Sequence, residues 1–584
     1  MPSGETRKGG GPQAFALGDA SPDFQQAMEH WNRGDQSARL WEADASLWTG
    51  SDEGRWLGWL GAIRDSQGEL PALQDLARSI RKDAIRDVVV MGMGGSSLCP
   101  DVLARTFAPA AGWPRLHVLD STVPAQIRRL RDAIDLSASL FIVPSKSGTT
   151  IEPNSLQRRF FSDVEAALPG EPPASRFIAI TDPGSPLDEE ARRDGFRSVA
   201  HGTPSIGGRF SALSVFGLLP ACLAGLDVAS LLSRAATMAA ACGPGVAAPE
   251  NPGAALGLAL GVLARRGRDK LSLVISPGVG ALGGWIEQLI AESTGKRGTG
   301  IVPIADEPLA APEFYGDDRS FVYLRLAEAP SHEQDTAVAA LEAAGQPVLR
   351  IAMKDPLDLG AEFFRWEFAT AVAGSVLGVN PFDQPDVEAA KQAARQLMEH
   401  FEAAGDLPSP PPSCSVSGAD LFADPALPAA PDLESQLARH LGRLGPGDYF
   451  AINAFIDMSD ANEEALQRMR RAVRDRYRVA TTVGFGPRFL HSTGQLHKGG
   501  PGSGLFLQIT SEDAVDLGIP GRGFSFGVLK QAQAIGDFQV LSQRGRRILR
   551  IHLEDASEGR IEELARSIEA ITSAPGVAPD GEAS

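Results

Sequence analysis

Twelve short apolar runs, separated by stretches of helical periodicity, constrain this chain more than any other feature of it. The first, residues 87–91 (DVVVM), runs straight into glycines and reads as a buried strand entering a tight turn. Residues 116–119, 140–143 and 176–180 repeat the pattern. Strands alternating with helices predict a parallel, doubly wound sheet. A second series opens at 271–275 and continues through 300–304, 321–326 and 347–351. A third lies near 449–455, 478–483, 505–509 and 548–552. The predicted fold class is α/β: two doubly wound parallel-sheet domains, a helical segment before them and an αβ block after them.

These spacings set the expected boundaries. Residues 1–20, rich in Gly, Ser and Pro, are expected to be disordered. Residues 21–82 read as helical, with Trp41, Trp48, Trp56 and Trp59 as anchors against the next layer. The first sheet domain is placed at 83–245 and the second at 246–403. Residues 404–433 are Pro-rich and read as a linker. Residues 434–572 form the C-terminal αβ block, expected to pack on the second sheet domain, and 573–584 a disordered tail. The longest apolar run, near 254–263, is rich in Gly and Ala and reads as a buried helix; no stretch of about 18 apolar residues reads as a membrane span.

At 584 residues, 43% hydrophobic and 22% charged, the chain has room for several domains and needs no disulfide or metal staple. A net charge of −18 argues against a global nucleic-acid or anionic-membrane binder, though not against local basic pockets. Cys99, Cys222, Cys242 and Cys414 form no C-x-x-C pair, and none accompanies a histidine pair at zinc-finger spacing. No metal site is expected, and a reducing, cytoplasmic location is. The first fifteen residues lack the apolar centre of a secretory signal.

Six motifs bear on chemistry. Met91-Gly-Met-Gly-Gly-Ser-Ser97 joins a strand to a helix, and its glycines, Gly95 among them, let backbone N–H groups approach an anion beside Ser96. A dinucleotide fingerprint needs a third glycine where Ser97 stands, although Asp120 ends a later strand as a ribose-binding acid would. Pro144-Ser-Lys-Ser-Gly-Thr-Thr150 gathers Ser145, Lys146, Ser147 and Thr150 as phosphate donors or, more plainly, as a Ser/Thr-rich helix cap. Ile206-Gly-Gly-Arg-Phe-Ser211 sets Arg209 behind paired glycines, for substrate oxygens or for a structural pairing. In residues 284–296, helical spacing puts Gln288 and Glu292 on one face. Glu292 opposes the helix dipole there, as a proton-transfer group or as a solvated surface carboxylate. Residues 380–391 (NPFDQPDVEAAK) start a helix at Pro385 and place Lys391 two turns in. Residues 484–500 carry His491 and His497 in a Gly-rich loop, suited to proton transfer near neutral pH; zinc is the rival, without a Cys or third close His to support it.

In this order the motifs resemble those of phosphoglucose isomerase, the ketose–aldose isomerase family built from two sugar-isomerase (SIS) domains. The match runs from about residue 85 to 395 and resumes near 480–500. Residues 48–60 (WTGSDEGRWLGWL) and 484–501 further resemble the isomerase half of the bacterial fusion of transaldolase with glucose-6-phosphate isomerase. The resemblance implies roles residue by residue. Gly95, Ser96, Ser145, Lys146, Ser147 and Thr150 match sugar-phosphate-binding positions. Glu292 matches the base moving a proton between C1 and C2, and Arg209 the arginine stabilising the cis-enediol(ate). Gln288 matches a substrate-contacting glutamine and Lys391 a lysine of ring opening. The family's catalytic histidine normally lies between the Glu and Lys motifs, where only His332 stands here, out of context. The better match, His491 in Leu490-His491-Ser492, comes about a hundred residues after Lys391. Because that histidine often comes from the neighbouring subunit, the resemblance implies a homodimer with a shared site, a sugar-phosphate substrate and no cofactor.

The implied activity is interconversion of glucose 6-phosphate and fructose 6-phosphate. The alternatives are a dual phosphoglucose/phosphomannose isomerase and a non-catalytic SIS-domain sensor of sugar phosphates.

Overall fold

Phe15, inside the stretch whose composition predicts disorder, packs edge-on against Phe24 with ring centroids 6.0 Å apart. It belongs to the strand β1 (Gln13–Ala16). The computed structural model describes residues 13–416, 418–555 and 557–574, so residues 1–12 of the expected disordered start lie outside it. From Gln13 onward that expectation is corrected, because the backbone there pairs antiparallel with residues 348–351 and closes an open sheet edge.

The first sheet holds β2 (Asp87–Val90), β3 (Arg115–Val118), β4 (Ser139–Pro144), β5 (Phe177–Thr181) and β6 (Ser198–His201) in the order β3-β2-β4-β5-β6. Every neighbouring pair is parallel. Val88, Val89 and Val90 have no exposed surface, which is what β-branched residues in a strand covered on both faces achieve. The second sheet joins β7 (Lys270–Ile275), β8 (Val302–Ile304), β9 (Arg319–Leu326) and β10 (Val348–Met353) in parallel, in the order β1-β10-β9-β7-β8. Between the sheets, the helices Pro252–Arg265 and Leu359–Leu377 meet with little room. A Cβ on Gly257 would stand 2.3 Å from the Ala369 carbonyl, so only glycine permits that approach.

The N-terminal helices Ser21–Arg33, Gln36–Trp41 and Trp59–Lys82 are anchored to this layer by tryptophans. Trp48 Nε1 donates to the Ala371 carbonyl at 2.7 Å, and Trp41 Nε1 to that of Cys242 at 2.8 Å. Trp59 stacks on Phe210 with centroids 5.5 Å apart. Trp56 instead donates to Asp52 of its own turn.

The Pro-rich segment 404–433 is not only a linker. It contains β11 (Cys414–Val416) and β12 (Ala419–Ala423), which fall in the proline-free interval 413–424. They join β13 (Tyr449–Phe455), β14 (Ala480–Phe485), β15 (Gly504–Ser511) and β16 (Arg547–Leu553) in a third sheet of order β11-β12-β16-β15-β13-β14. β13 to β16 are mutually parallel, and β12 runs antiparallel to β16.

The C-terminal block packs more widely than on the second sheet alone. Tyr449 and Phe506 share a buried cluster with Val302 and Ile304 of the second sheet. Phe524, Phe526 and Leu529 share another with Phe141 of the first sheet and Phe160 of the helix Ile151–Ala167. The block is thereby wedged against both, which is what brings its loops to one place. The helix Glu558–Ser573 reaches the start of the expected disordered tail, and residues 575–584 lie outside the described residues. Among the described residues no helix is long and apolar enough to cross a membrane.

Candidate active site

Glu292 lies in the last turn of the helix Leu282–Thr294, where the helix dipole disfavours a carboxylate. What compensates is Arg209, on the short turn Gly208–Phe210, whose Nη1 is 3.3 Å from Glu292 Oε1. The guanidinium is buried and fully engaged. Nε donates to Ser293 Oγ at 2.7 Å, Nη1 to Gln384 Oε1 at 3.0 Å, and Nη2 to the carbonyls of Pro381 at 2.6 Å and Asp383 at 2.9 Å. This fork is rigid, as a donor aimed at a developing oxyanion has to be. Gln288, one turn before Glu292, donates from Nε2 to Glu292 Oε2 at 3.1 Å and to the His491 carbonyl at 2.6 Å.

His491 arrives from the C-terminal block on the turn Arg488–His491. Arg488 holds that turn to the first sheet domain through Asp101 at 2.8 Å and Asp120 at 3.4 Å. Gln495, just beyond it, donates to Asp386 at 2.5 Å and accepts from its backbone N–H at 2.9 Å. His491 Nε2 lies 2.8 Å from Glu152 Oε1. Glu152 opens the helix Ile151–Ala167 that follows the Ser/Thr-rich loop. The same Oε1 accepts from Gln533 Nε2 at 2.7 Å, and Gln533 Oε1 accepts from Thr122 Oγ1 at 3.0 Å. Burial alone would raise the pKa of Glu152, but the charge and hydrogen bond of His491 outweigh it and bring the carboxyl below its usual value. All these groups belong to one chain. The αβ block thus brings His491 beside Glu152 and Gln288 of its own chain.

The phosphate-side residues stand next to this cluster. A Cβ on Gly95 would lie 2.0 Å from the Gly208 carbonyl, so the Gly-rich turn presses directly on the turn that carries Arg209. Ser96 and Lys146 line one small pocket with Gly208 and Ser211. Ser145 Oγ donates to Thr150 Oγ1 at 3.2 Å, and Ser147 and Thr149 hydroxyls are 2.9 Å apart around Gly148, at φ +68°. Lys146 Nζ is occupied by Asp182 at 2.6 Å and the Pro204 carbonyl at 3.0 Å.

Other candidates fall away from the cluster. Lys391, on the exposed face of the helix Val387–Ala404, pairs with Glu388 at 3.0 Å and reaches Glu152 only through its charge. His332 begins the helix His332–Ala343 beside Asp335. His497 is buried among Tyr449, Phe489 and Phe506 with neither ring nitrogen hydrogen-bonded, and burial pushes its pKa far down. Asp120 accepts from Ser97 Oγ at 3.2 Å and faces Arg488, which leaves no ribose-binding role for it. Among the described residues no group of three or more His, Cys, Asp or Glu side chains is placed to hold a metal ion.

Residues 77–260, which contain the Gly-rich turn, the Ser/Thr-rich loop and Arg209, match the phosphoglucose isomerase family. The glucose-6-phosphate isomerase of Rubrobacter xylanophilus is 33% identical over 376 residues, covering 56% of this chain and 86% of that protein. The chain belongs to the glucose-6-phosphate isomerase family. The glucose-6-phosphate isomerase of Synechococcus sp. strain JA-3-3Ab is 29% identical over 427 residues, covering 62% of this isomerase and 79% of its own length. Two solved structures share the fold. A hypothetical protein from Thermus thermophilus superposes with a TM-score of 0.54 at 25% identity, covering 66% of this isomerase and 99% of that chain. A glucose-6-phosphate isomerase from Chlamydia trachomatis gives 0.50 at 22%, covering 63% and 78%.

Sequence reasoning about this isomerase gave no role to Glu152, which ends the Ser-Lys-Ser-Gly-Thr-Thr-x-Glu motif, and missed Gln533 and Thr122. Glu152 lies two residues after Thr150 and carries a signal of a kind: an acid in the first turn of a helix, which also reads as dipole compensation. Gln533 sits mid-helix in Phe526–Gln543, and no motif marks it.

Proposed function

We propose that this isomerase interconverts glucose 6-phosphate and fructose 6-phosphate, with Glu292 as the base that carries one proton between C1 and C2. The observation that supports it most is the pairing of an otherwise disfavoured carboxylate with a buried, fully hydrogen-bonded Arg209. Glu292 takes the proton from the carbon next to the carbonyl, Arg209 and Gln288 face the enediolate oxygens, and the same carboxyl returns the proton to the other carbon. His491 moves the ring-oxygen proton during ring opening, its imidazolium held by Glu152. Ser96, Ser145, Ser147 and Thr150, with Gly95 giving backbone access, bind the phosphate, and Lys146 adds charge at its edge. That binding holds the reacting carbons in place without taking part in the chemistry. Lys391 contributes only field at Glu152. No step needs a group from a second subunit.

The test is conversion of fructose 6-phosphate to glucose 6-phosphate by the purified chain, with EDTA present and no added cofactor. Turnover is the expected result. A raised melting temperature with fructose 6-phosphate but no turnover would instead mark a sensor.

Gln533 gives a second expected outcome. Gln533→Ala leaves Glu152 without its neutral donor and lowers kcat by about tenfold to a hundredfold, the scale of a misplaced catalytic group, with little change in KM. Gln533→Glu has a carboxyl whose pKa is raised beside Glu152, and while protonated it donates as the amide did. Its activity is retained at acidic pH and lost as that carboxyl ionises. A merely structural glutamine would lower the melting temperature and leave the pH profile of kcat in place.

A further inference from the structure

Against the loop 380–386 lies a cavity of about 570 Å³ whose lining includes none of Glu292, Arg209, Gln288 and His491 and which no step of the isomerisation uses. Its size falls in the range of small-ligand sites. The turn after the Glu292 helix supplies Lys296 and Arg297, the chain after the His491 loop supplies Lys498, and the chain after residue 543 supplies Arg544 and Arg546. Asp383 and Asp386 are the acidic residues of the lining. In a chain of net charge −18, five cations converging on one cavity is a local inversion of charge.

Part of this charge is already matched. Lys296 pairs with Asp383 at 2.6 Å, Lys498 with Asp537 at 2.5 Å and Arg544 with Asp386. The remainder is not. Arg546 donates to the carbonyls of Lys498 at 2.7 Å and Gly500 at 2.8 Å, has no carboxylate partner among the described residues, and its Nε is buried without a hydrogen bond. Arg297, exposed on a left-handed turn at φ +54°, has no ion-pair partner among the described residues. A buried, unsatisfied donor and an unmatched cation in one lining are what an incoming anion would complete.

The cavity also touches the reaction site through one residue. Lys296 donates to the Asn380 carbonyl and to Asp383 on the cavity side. Arg209 grips the same loop through the Pro381 and Asp383 carbonyls. Burial, then the nearby Arg209, bring the Lys296 pKa down to about 7 against the pull of Asp383. An anion here favours the protonated lysine and changes the field at Arg209 and Glu292.

We infer that this cavity is a second anion site, for a small multiply charged phosphate compound, whose occupancy is felt at the active site through Lys296 and the loop 380–386. The coupling rests on the isomerase reading; the binding does not, so the two fail separately.

The probe is inorganic pyrophosphate, titrated calorimetrically into the full chain held in saturating fructose 6-phosphate, which keeps the sugar-phosphate site filled. About one further pyrophosphate per chain should bind, more weakly as salt is raised. Arg297→Glu, on an exposed turn, should weaken it at least tenfold and leave turnover without pyrophosphate unchanged. Arg546→Ala alone should also weaken it, by removing the buried unsatisfied donor. Steady-state inhibition by pyrophosphate should lower kcat. No binding under fructose 6-phosphate saturation, or binding unaffected by Arg297→Glu, overturns the site. Binding with only competitive inhibition overturns its coupling to catalysis.

Discussion

Glu292→Gln lowers kcat by roughly 10²- to 10⁴-fold, the range that a positioned general base contributes. The substitution keeps the side-chain shape, and Gln288 still has an oxygen to donate to. Arg209 loses its ion pair with Glu292 but keeps Ser293, Gln384 and two main-chain carbonyls as acceptors. Its charge is therefore not stranded in the interior, the situation that makes the breaking of a buried pair so destabilising. Fructose 6-phosphate binding and the melting temperature should stay near those of the parent chain. Activity within tenfold of the parent would remove Glu292 from its role.

A mixture of Glu292→Gln and His491→Ala chains, unfolded and refolded together, recovers no activity beyond that of the separate variants. In a twofold assembly where each site borrowed its histidine from the partner, mixing would restore about a quarter of the parent activity, since half the pairs would hold one intact site. Here Gln288 bridges Glu292 and His491 within one chain, so each variant chain carries its own defect. Recovery toward a quarter, read from initial rates at fixed protein concentration, would mean that the histidine crosses between subunits after all.

How much was legible beforehand follows from how each part is encoded. The strands of the parallel sheets are covered on both faces, and their unbroken apolar runs stand out. β1 and β11 are short edge strands with Gly- or Pro-rich sequence beside them, so composition points the wrong way: the pairing that orders Gln13–Ala16 comes from residues 348–351, far along the chain. Glu292 and Arg209 lie in dense local motifs. Gln533 lies in none, because its work is done by geometry between a helix of the C-terminal block and the start of another helix of the first sheet domain. The inverted order of His491 and Lys391 was visible as an anomaly. Its resolution was not, since a loop's place in sequence says nothing of the sheet that carries it; the wedge of the third sheet against the other two decides that. Lys391 shows the converse. It sits in a good motif, yet faces outward on its helix, beside Glu388.

His491 and the carboxylate that holds it are 339 residues apart, and Gln533 and Thr122 are 411 apart. At ribosomal speeds of about 5–20 residues per second, roughly 20 to 70 seconds pass between the synthesis of Glu152 and that of His491. For that interval the first two sheets can fold around a carboxylate that has no partner. A chain released early, or clipped after residue 440, would keep Glu292 and Arg209 yet lack His491, the group proposed to open the sugar ring. With His491 in its proposed role, turnover waits on the third sheet, and activity becomes a report that this last-made block has docked on the two sheets made before it.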